Sequence, residues 1–225
     1  MTLTLAFDIY GTLINTHGIT AALKPLAGEQ AADFSRGWRD KQLEYSFRRG
    51  LMLDYVDFAD CTRQALEYTC AALSVTLNDA DKVTLMQAYT TLPTFADVQP
   101  GLTHAQQAGF NLFAFSNGSA AAVDTLLQHA NIRTVFTDII SVEDIRTFKP
   151  NPAVYRHFLQ RTHATAENTW LVSSNPFDVI GALSAGWRAA WIRRQADTVF
   201  DPWGVEPTLT LSSLNDLASA IKSHG

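Results

Sequence analysis

The sequence predicts an α/β protein with a Rossmann-like parallel sheet core, helices on both faces of the sheet, and an inserted helical cap subdomain. Three observations lead to this fold class. A short apolar run opens the chain, a long segment of helical periodicity follows, and the remainder alternates apolar runs with helical stretches. Strands that alternate with helices form right-handed βαβ units, and these units build parallel sheets.

The first predicted strand is the apolar run at residues 3–7, which Asp8 closes. A turn containing Gly11 and Thr12 follows at once. Ligands of open α/β sheets bind at the carboxyl ends of the strands, where a carboxylate followed by a tight turn is exposed to them. Asp8 is therefore the most informative residue of the chain, although aspartates also commonly cap turns at strand ends.

The segment from residue 16 to 92 is predicted to be almost entirely helical. Gly50 is predicted to interrupt it, and the pair Asn78-Asp79 is a plausible helix N-cap. Apolar residues recur there at helical spacing, as in Trp38, Leu43, Phe47, Val56, Ala59, Leu66 and Leu73.

Three further apolar runs predict the later strands of the sheet. They lie at residues 110–115, 170–172 and 189–192. The first two precede helical stretches, one rich in alanine and one that ends near Gly186. The predicted domains are accordingly a core over residues 1–15 and 93–225 and a helical cap over residues 16–92.

Composition excludes several classes of protein. The hydrophobic fraction of 47% is ordinary for a globular core, and a net charge of −5 with scattered Lys and Arg predicts no nucleic-acid partner. Neither a membrane-spanning run nor a signal peptide is expected. Cys61 and Cys70 lie too far apart on one predicted helix to bridge easily, so both are expected to be reduced and the protein cytoplasmic.

Polar side chains follow several of the predicted strands. Ser116 and Ser173 end two of the apolar runs, as Asp8 ends the first, and Lys149 precedes a proline-marked helix start. Because parallel strands point the same way, these groups should converge on one edge of the sheet. A solvated lysine is the common alternative for Lys149, but its neighbours Phe148 and Pro150 favour burial.

These motifs, in this order, resemble the haloacid dehalogenase superfamily, and the cap segment resembles its L-2-haloacid dehalogenase (type II) branch. The resemblance runs over nearly the whole chain. It is carried by residues 8–12 (DIYGT), 38–45 (WRDKQLEY), 116–118 (SNG), 149–150 (KP) and 173–178 (SSNPFD).

The resemblance implies covalent catalysis by Asp8, which attacks the halogen-bearing carbon and forms an aspartyl ester that water then hydrolyses. Thr12 and Ser173 would fix the Asp8 side chain, and Lys149 would keep it ionised. Asn175 and Asp178 would position or deprotonate the water, with Asp178 as the candidate base. Asp178 could instead, or in addition, stabilise the N-terminus of its helix through the helix dipole.

The resemblance also implies a binding site for the substrate and the halide. Arg39, Asn117 and the edge of Phe177 would receive the halide, although an isolated Arg is more often a surface residue. Ser116 would bind the substrate carboxylate together with main-chain N–H groups. Ile9, Tyr10 and Asn117 would supply those N–H groups. The apolar wall would be Tyr10, Leu43, Phe58 and Phe177.

The remaining expectations concern Tyr155 and two departures from the branch. Tyr155, on the helix after Lys149, would orient Lys149 or Asp178. Asp40 stands where relatives often carry Gln, and Pro176-Phe177 where they often carry Ala-Trp, which bears on substrate range rather than on reaction type.

No metal and no cofactor is expected. Phosphatases on this scaffold carry a second acid two residues after the nucleophile, where this chain has Tyr10, and Mg²⁺ prefers several oxygen ligands. The expected partners are a small haloacid, water and halide, together with a second copy of the chain in a homodimer. Two alternatives stay open, a Mg-dependent phosphatase of the same superfamily and a catalytically silent binding protein on this fold.

Overall fold

A computed structural model describes residues 2–224 of the chain. Within that range the strands are β1 (Thr4–Asp8), β2 (Asn111–Ser116), β3 (Asp138–Ser141), β4 (Thr169–Ser173), β5 (Arg188–Ile192) and β6 (Leu209–Leu211). The α-helices are α1 (Thr20–Ala27), α2 (Ala31–Met52), α3 (Phe58–Leu73), α4 (Asp79–Ala88), α5 (Val98–Gln107), α6 (Ala120–His129), α7 (Pro152–Thr162), α8 (Pro176–Ser184) and α9 (Leu217–His224). Several short 3-10 turns connect them.

The strands form one parallel sheet in the order β3-β2-β1-β4-β5-β6. The strand order reverses between β1 and β4, so the crevice at their carboxyl ends is the topological switch point at which such sheets bind ligands. Asp8 stands at this point, since it is the last residue of β1. The predicted fold class is confirmed.

Alternate residues of the strands pack into two separate cores, one on each face of the sheet. On β1, Leu5 and Phe7 join one core and Ala6 joins the other. Residues of α5, α6 and α9 belong to the first core, and residues of α7 and α8 to the second. Because both faces are covered, the interior positions of β1, β2, β4 and β5 are apolar, as is typical of a buried parallel sheet.

The cap consists of α1 to α4, inserted between β1 and α5. The two chain crossings between cap and core lie side by side: the Asn15 N–H donates to the Pro93 carbonyl (2.8 Å) and the Phe95 N–H to the Leu13 carbonyl (3.1 Å). Asn78 caps α4 in a reciprocal capping box with Asp81, as its sequence position indicated. The division at residues 15 and 93 stays a prediction.

The predicted break at Gly50 is wrong, because Gly50 lies inside α2, which continues to Met52. A side chain there would contact Thr147 Oγ1 at 3.4 Å and the Phe148 backbone nitrogen at 3.7 Å. The glycine therefore serves close packing of the cap helix against the core rather than helix termination. The helix ends at Met52, and the C-cap residue that follows, Leu53, has a left-handed φ of 57°.

Two strands were missing from the sequence prediction, β3 and β6. Strand β3 has four residues, and a single 3-10 turn follows it instead of a long helix. Strand β6 has three residues at the sheet edge, none of them fully buried, so it has no apolar run. Short strands of this kind give little periodicity to detect.

Two observations bear on the surroundings of the chain. Among residues 2–224 no helix is both long and apolar enough to cross a bilayer. Cys61 and Cys70 are both buried and free, and burial raises the pKa of the Cys61 thiol to about 11.

Candidate active site

The two carboxylate oxygens of Asp8 have different surroundings. Oδ2 accepts hydrogen bonds from Thr12 Oγ1 (2.7 Å), Asn175 Nδ2 (2.7 Å) and Ser173 Oγ (3.2 Å). Oδ1 faces Lys149 Nζ at 3.3 Å. Thr12 comes from the turn after β1, whereas Ser173 ends the neighbouring strand β4 and Asn175 follows it. Oδ2 is therefore saturated with donors, and Oδ1 is the oxygen with accepting capacity left.

Only 1% of the Lys149 surface is exposed, which is unusual for a residue with an ammonium group. Its Nζ donates to Asp178 Oδ2 (2.7 Å) and to the Phe115 carbonyl (2.9 Å), and it approaches Asp8. It also lies 4.0 Å from the centroid of the Phe115 ring. The ammonium thus bridges two carboxylates and offsets their repulsion.

Asp178 lies in the first turn of α8 with no exposed surface. Tyr155, on α7, donates its hydroxyl to Asp178 Oδ1 at 2.8 Å. Burial raises the pKa of Asp178 to about 6, and the Lys149 charge opposes that rise. Burial and the neighbouring Asp178 charge also raise the pKa of Tyr155 well above its usual value, so this hydroxyl stays a donor.

Arg39 reaches from the cap to the turn that follows Asp8. Its Nη2 donates to the Tyr10 carbonyl at 3.2 Å, and its Nη1 donates to Gln42 Oε1 at 2.7 Å. Burial lowers the pKa of Arg39, with nearby acidic groups acting against the shift. In this structure the cap is therefore closed over the core at Tyr10.

The polar residues after β2 mostly bond to the main chain. Ser116 Oγ accepts the Gly118 N–H at 3.0 Å, and Asn117 Oδ1 accepts the Lys149 N–H at 2.9 Å. Because Oδ1 of Asn117 is used in this way, its NH₂ group remains for another acceptor. Ile9 is fully buried, and its carbonyl closes the turn by accepting the N–H groups of Leu13 and Ile14.

The predicted wall residues divide between two places. Tyr10 packs on Phe58 with ring centroids 5.8 Å apart, and both line a small cavity of about 90 Å³ that also contacts Gly118. Leu43 lies instead in a cleft of about 500 Å³ with Arg39 and Asn175.

Phe177 packs edge-on against the Phe47 ring of α2, with centroids 4.9 Å apart. The structure therefore brings Phe177 to the cap, and its contact with Arg39 or Asn117 stays a prediction.

Sequence reasoning missed two residues of this network. Gln42 is fully buried and accepts from Arg39; its position one helical turn after Arg39 was the available signal. Arg194 follows β5 at the same sheet edge and donates to the Thr12 carbonyl (Nη2, 2.6 Å; Nε, 3.1 Å). A charged residue just after a strand end was the signal for Arg194.

The donor set at Asp8 does not fit a divalent metal. Mg²⁺ prefers several oxygen ligands, but the space between Asp8 and Asp178 is filled by the Lys149 ammonium, and Tyr10 follows where an acid would be needed. Within residues 2–224 no group of three or more His, Cys, Asp or Glu side chains could hold an ion.

Comparison with known proteins places this geometry in a family. The model of the haloacid dehalogenase-like hydrolases matches residues 2–186. An (S)-2-haloacid dehalogenase of Pseudomonas putida is 35% identical over 96% of this chain and 94% of its own length. The haloacetate dehalogenase H-2 of Moraxella sp. (strain B) is 33% identical over 96% of each chain.

A solved structure covers the same range. It is the L-2-haloacid dehalogenase of Xanthobacter autotrophicus with chloropropionic acid covalently bound, which is 28% identical, with a TM-score of 0.91 and full coverage of both chains.

A buried aspartate at the switch point of a parallel sheet, beneath a helical cap, defines a hydrolase of this class, and the chain belongs to the haloacid dehalogenase-like hydrolases. Within them it belongs to the L-2-haloacid dehalogenase branch.

Proposed function

We propose that this protein hydrolyses short (S)-2-haloacids to (R)-2-hydroxy acids with release of halide, through an aspartyl ester on Asp8. The observation that carries the proposal is the asymmetry of the Asp8 carboxylate, with three donors on Oδ2 and one ammonium at Oδ1. Further support comes from the relatives named as dehalogenases and from the relative with covalently bound chloropropionic acid.

In the first step Asp8 Oδ1 attacks the halogen-bearing carbon. The oxygen–carbon bond forms while the carbon–halogen bond breaks, and the halide leaves with the bonding pair. Attack from the side opposite the halogen inverts the carbon. Arg39 of the cap, with the free NH₂ group of Asn117, is the proposed receptor for the halide, since both groups donate hydrogen bonds to anions.

In the second step water attacks the Asp8 carboxyl carbon and gives a proton to Asp178. The negative charge of the tetrahedral intermediate then develops on Oδ2, where Thr12, Ser173 and Asn175 already donate. Preorganised donors at a developing oxyanion lower the barrier because they need no rearrangement. When the intermediate collapses, the bond between the Asp8 carboxyl carbon and the substrate oxygen breaks, and that oxygen takes the remaining proton of the attacking water. The hydroxy acid leaves, Asp8 is regenerated as a carboxylate, and Asp178 releases its proton to solvent.

Substrate size and orientation follow from the remaining predicted residues. Ser116 and the main-chain N–H groups of Ile9, Tyr10 and Asn117 are proposed to hold the substrate carboxylate. Short acids are supported by two relatives, one named as a haloacetate dehalogenase and one solved with chloropropionic acid covalently bound.

The test is halide release from each enantiomer of 2-chloropropionate, with and without EDTA. We expect turnover of the (S)-enantiomer alone, unaffected by EDTA, and none by Asp8→Asn. Equal turnover of both enantiomers would contradict the stereochemistry. The phosphatase alternative would instead show Mg-dependent hydrolysis of a phosphate ester and no halide release.

Assembly and compartment are also proposals. A homodimer is supported by an exposed apolar tip on the cap, Leu51, Met52 and Leu53, since such patches often mark interfaces. A monomeric mass by light scattering at micromolar concentration would contradict it. The two free cysteines support a reducing compartment such as the cytoplasm.

A further inference from the structure

We propose that Gln42, held in one orientation by Thr62, is a positioning residue for the Arg39 guanidinium. The inference rests on the proposed function, because it assumes that Arg39 receives the departing halide. Both residues belong to the cap, Gln42 to α2 and Thr62 to α3. Gln42 lies within the cap motif at residues 38–45 but was given no role there, and Thr62 lies outside the motifs.

Gln42 and Thr62 are both buried. Gln42 has no exposed surface and Thr62 is 4% exposed, so their polar atoms must find partners inside the protein. Gln42 Oε1 accepts from Arg39 Nη1 at 2.7 Å, and Gln42 Nε2 donates to Thr62 Oγ1. An amide at such a place is part of a network rather than a solvated side chain.

The directions of the hydrogen bonds determine how the Gln42 amide is oriented. The Phe58 carbonyl can only accept, so the Thr62 hydroxyl must give its hydrogen to it, at 2.7 Å. Thr62 Oγ1 then has only lone pairs left for Gln42, which must present its NH₂ group there. The amide oxygen is thereby turned towards Arg39, which can only donate.

The positive charge of the Arg39 guanidinium is not neutralised by the groups that accept its hydrogen bonds. The two acceptors that hold Arg39, the Gln42 amide oxygen and the Tyr10 carbonyl, are neutral. A carboxylate at either place would form an ion pair and cancel much of the positive charge. A neutral amide fixes the guanidinium and leaves its charge for an anion, which is what a halide receptor requires.

The experiment compares two matched threonines of α3. Thr62 and Thr69 are both buried, and each hydroxyl donates to the carbonyl four residues earlier, but only Thr62 contacts Gln42. In Thr62→Val the amide loses the acceptor that fixes its orientation. Thr69→Val loses the same kind of bond without touching the network.

Hydrolysis of (S)-2-chloropropionate is followed as formation of the hydroxy acid, with added NaCl or NaBr as inhibitor. We expect Thr62→Val to weaken chloride inhibition about tenfold, because a hydrogen bond to a charged group is lost or misdirected. The value of kcat should fall more than KM changes, since the halide develops its charge in the transition state. Thr62→Ser should restore both properties, and Thr69→Val should match the wild type.

Equal chloride inhibition in Thr62→Val and Thr69→Val, with an active wild type, would overturn the inference. Should Thr62→Val fail to fold, Gln42→Met decides the question, because it keeps the side-chain length and removes the acceptor. Unchanged chloride inhibition in Gln42→Met overturns the inference as well. A wild type that releases no halide would instead contradict the proposed function itself.

Discussion

At the scale of single residues, the carboxyl group of Asp178 receives two donors at once. The Lys149 ammonium bonds to one of its oxygens and the Tyr155 hydroxyl to the other. Both bonds stabilise the ionised form, whereas burial disfavours it. Burial has the larger effect, so the pKa of Asp178 rises to about 6. The group can therefore accept a proton from water near neutral pH and is partly protonated only in mild acid.

This balance predicts the pH dependence of ester hydrolysis. In the proposed mechanism the ionised form of Asp178 is the base, so kcat should fall as the pH drops through about 6, to which the pKa of Asp178 is raised. Tyr155→Phe removes a donor to the ionised form, so the acid limb should move to higher pH, by about half a unit to one unit for a net bond of about 1 kcal/mol. The measurement is kcat against pH for both proteins.

Tyr68→Phe is the control for the pH experiment, because Tyr68 is on the cap surface and 46% exposed. Its acid limb should coincide with that of the wild type. An acid limb that stays in place or moves to lower pH in Tyr155→Phe would show that Asp178 is not the titrating base.

At the scale of elements, the contact between α7 and α8 depends on a glycine. Gly181 lies in α8, one turn after Asp178, and a Cβ atom there would be 2.2 Å from the Tyr155 hydroxyl and 2.8 Å from Pro150 Cβ. The absent side chain makes the space in which Tyr155 reaches Asp178. A glycine inside a helix usually lowers helix stability, so its presence here has a packing reason.

Gly181→Ala should accordingly lower the free energy of unfolding by about 1–3 kcal/mol, as overpacking of a core does. It should also reduce kcat, because Tyr155 must move away from Asp178. The measurements are urea denaturation and halide release. The control is Gly37→Ala in α2, where the new Cβ would meet only Thr69 Cγ2 at 3.8 Å.

Gly37→Ala should leave kcat unchanged and raise stability by as much as about 1 kcal/mol, the propensity difference between the two residues. If Gly181→Ala were as stable and as active as Gly37→Ala, the packing explanation of Gly181 would be wrong.

At the scale of the whole molecule, Arg194 joins three distant parts of the chain. It donates to the Thr12 carbonyl in the turn after Asp8, and its Nη1 pairs with both carboxylate oxygens of Asp97, each at 2.7 Å. Asp97 lies just after the cap and also accepts the Leu214 N–H ahead of the last helix. The turn that presents Asp8 is thus held by segments from the middle and the end of the chain.

Arg194→Lys keeps the charge but loses the planar array of donors. We expect the free energy of unfolding to fall by roughly 1–3 kcal/mol, the range for a lost hydrogen bond to a charged group. Arg63→Lys is the control, since its pair with Asp60 is exposed and such pairs contribute about 0–1 kcal/mol. Equal stability of the two variants in urea denaturation would refute this role of Arg194.

The sequence by itself determined the fold class and the identity of the central group. Apolar periodicity predicted the long strands and the helical cap. The strand ends pointed to Asp8, Ser116 and Ser173, because parallel strands bring their ends to one edge of the sheet. Local patterns failed where the signal was weak, at the short strands β3 and β6, or non-local, at Gly50.

Only the tertiary structure decided which atoms meet. It selected Oδ2 of Asp8 for three donors, placed Lys149 between two carboxylates, and brought Gln42 and Arg194 into the network. Hydrogen bonds require particular atoms within about 3 Å. Residues up to 182 positions apart, such as Thr12 and Arg194, make such contacts only after the chain has folded.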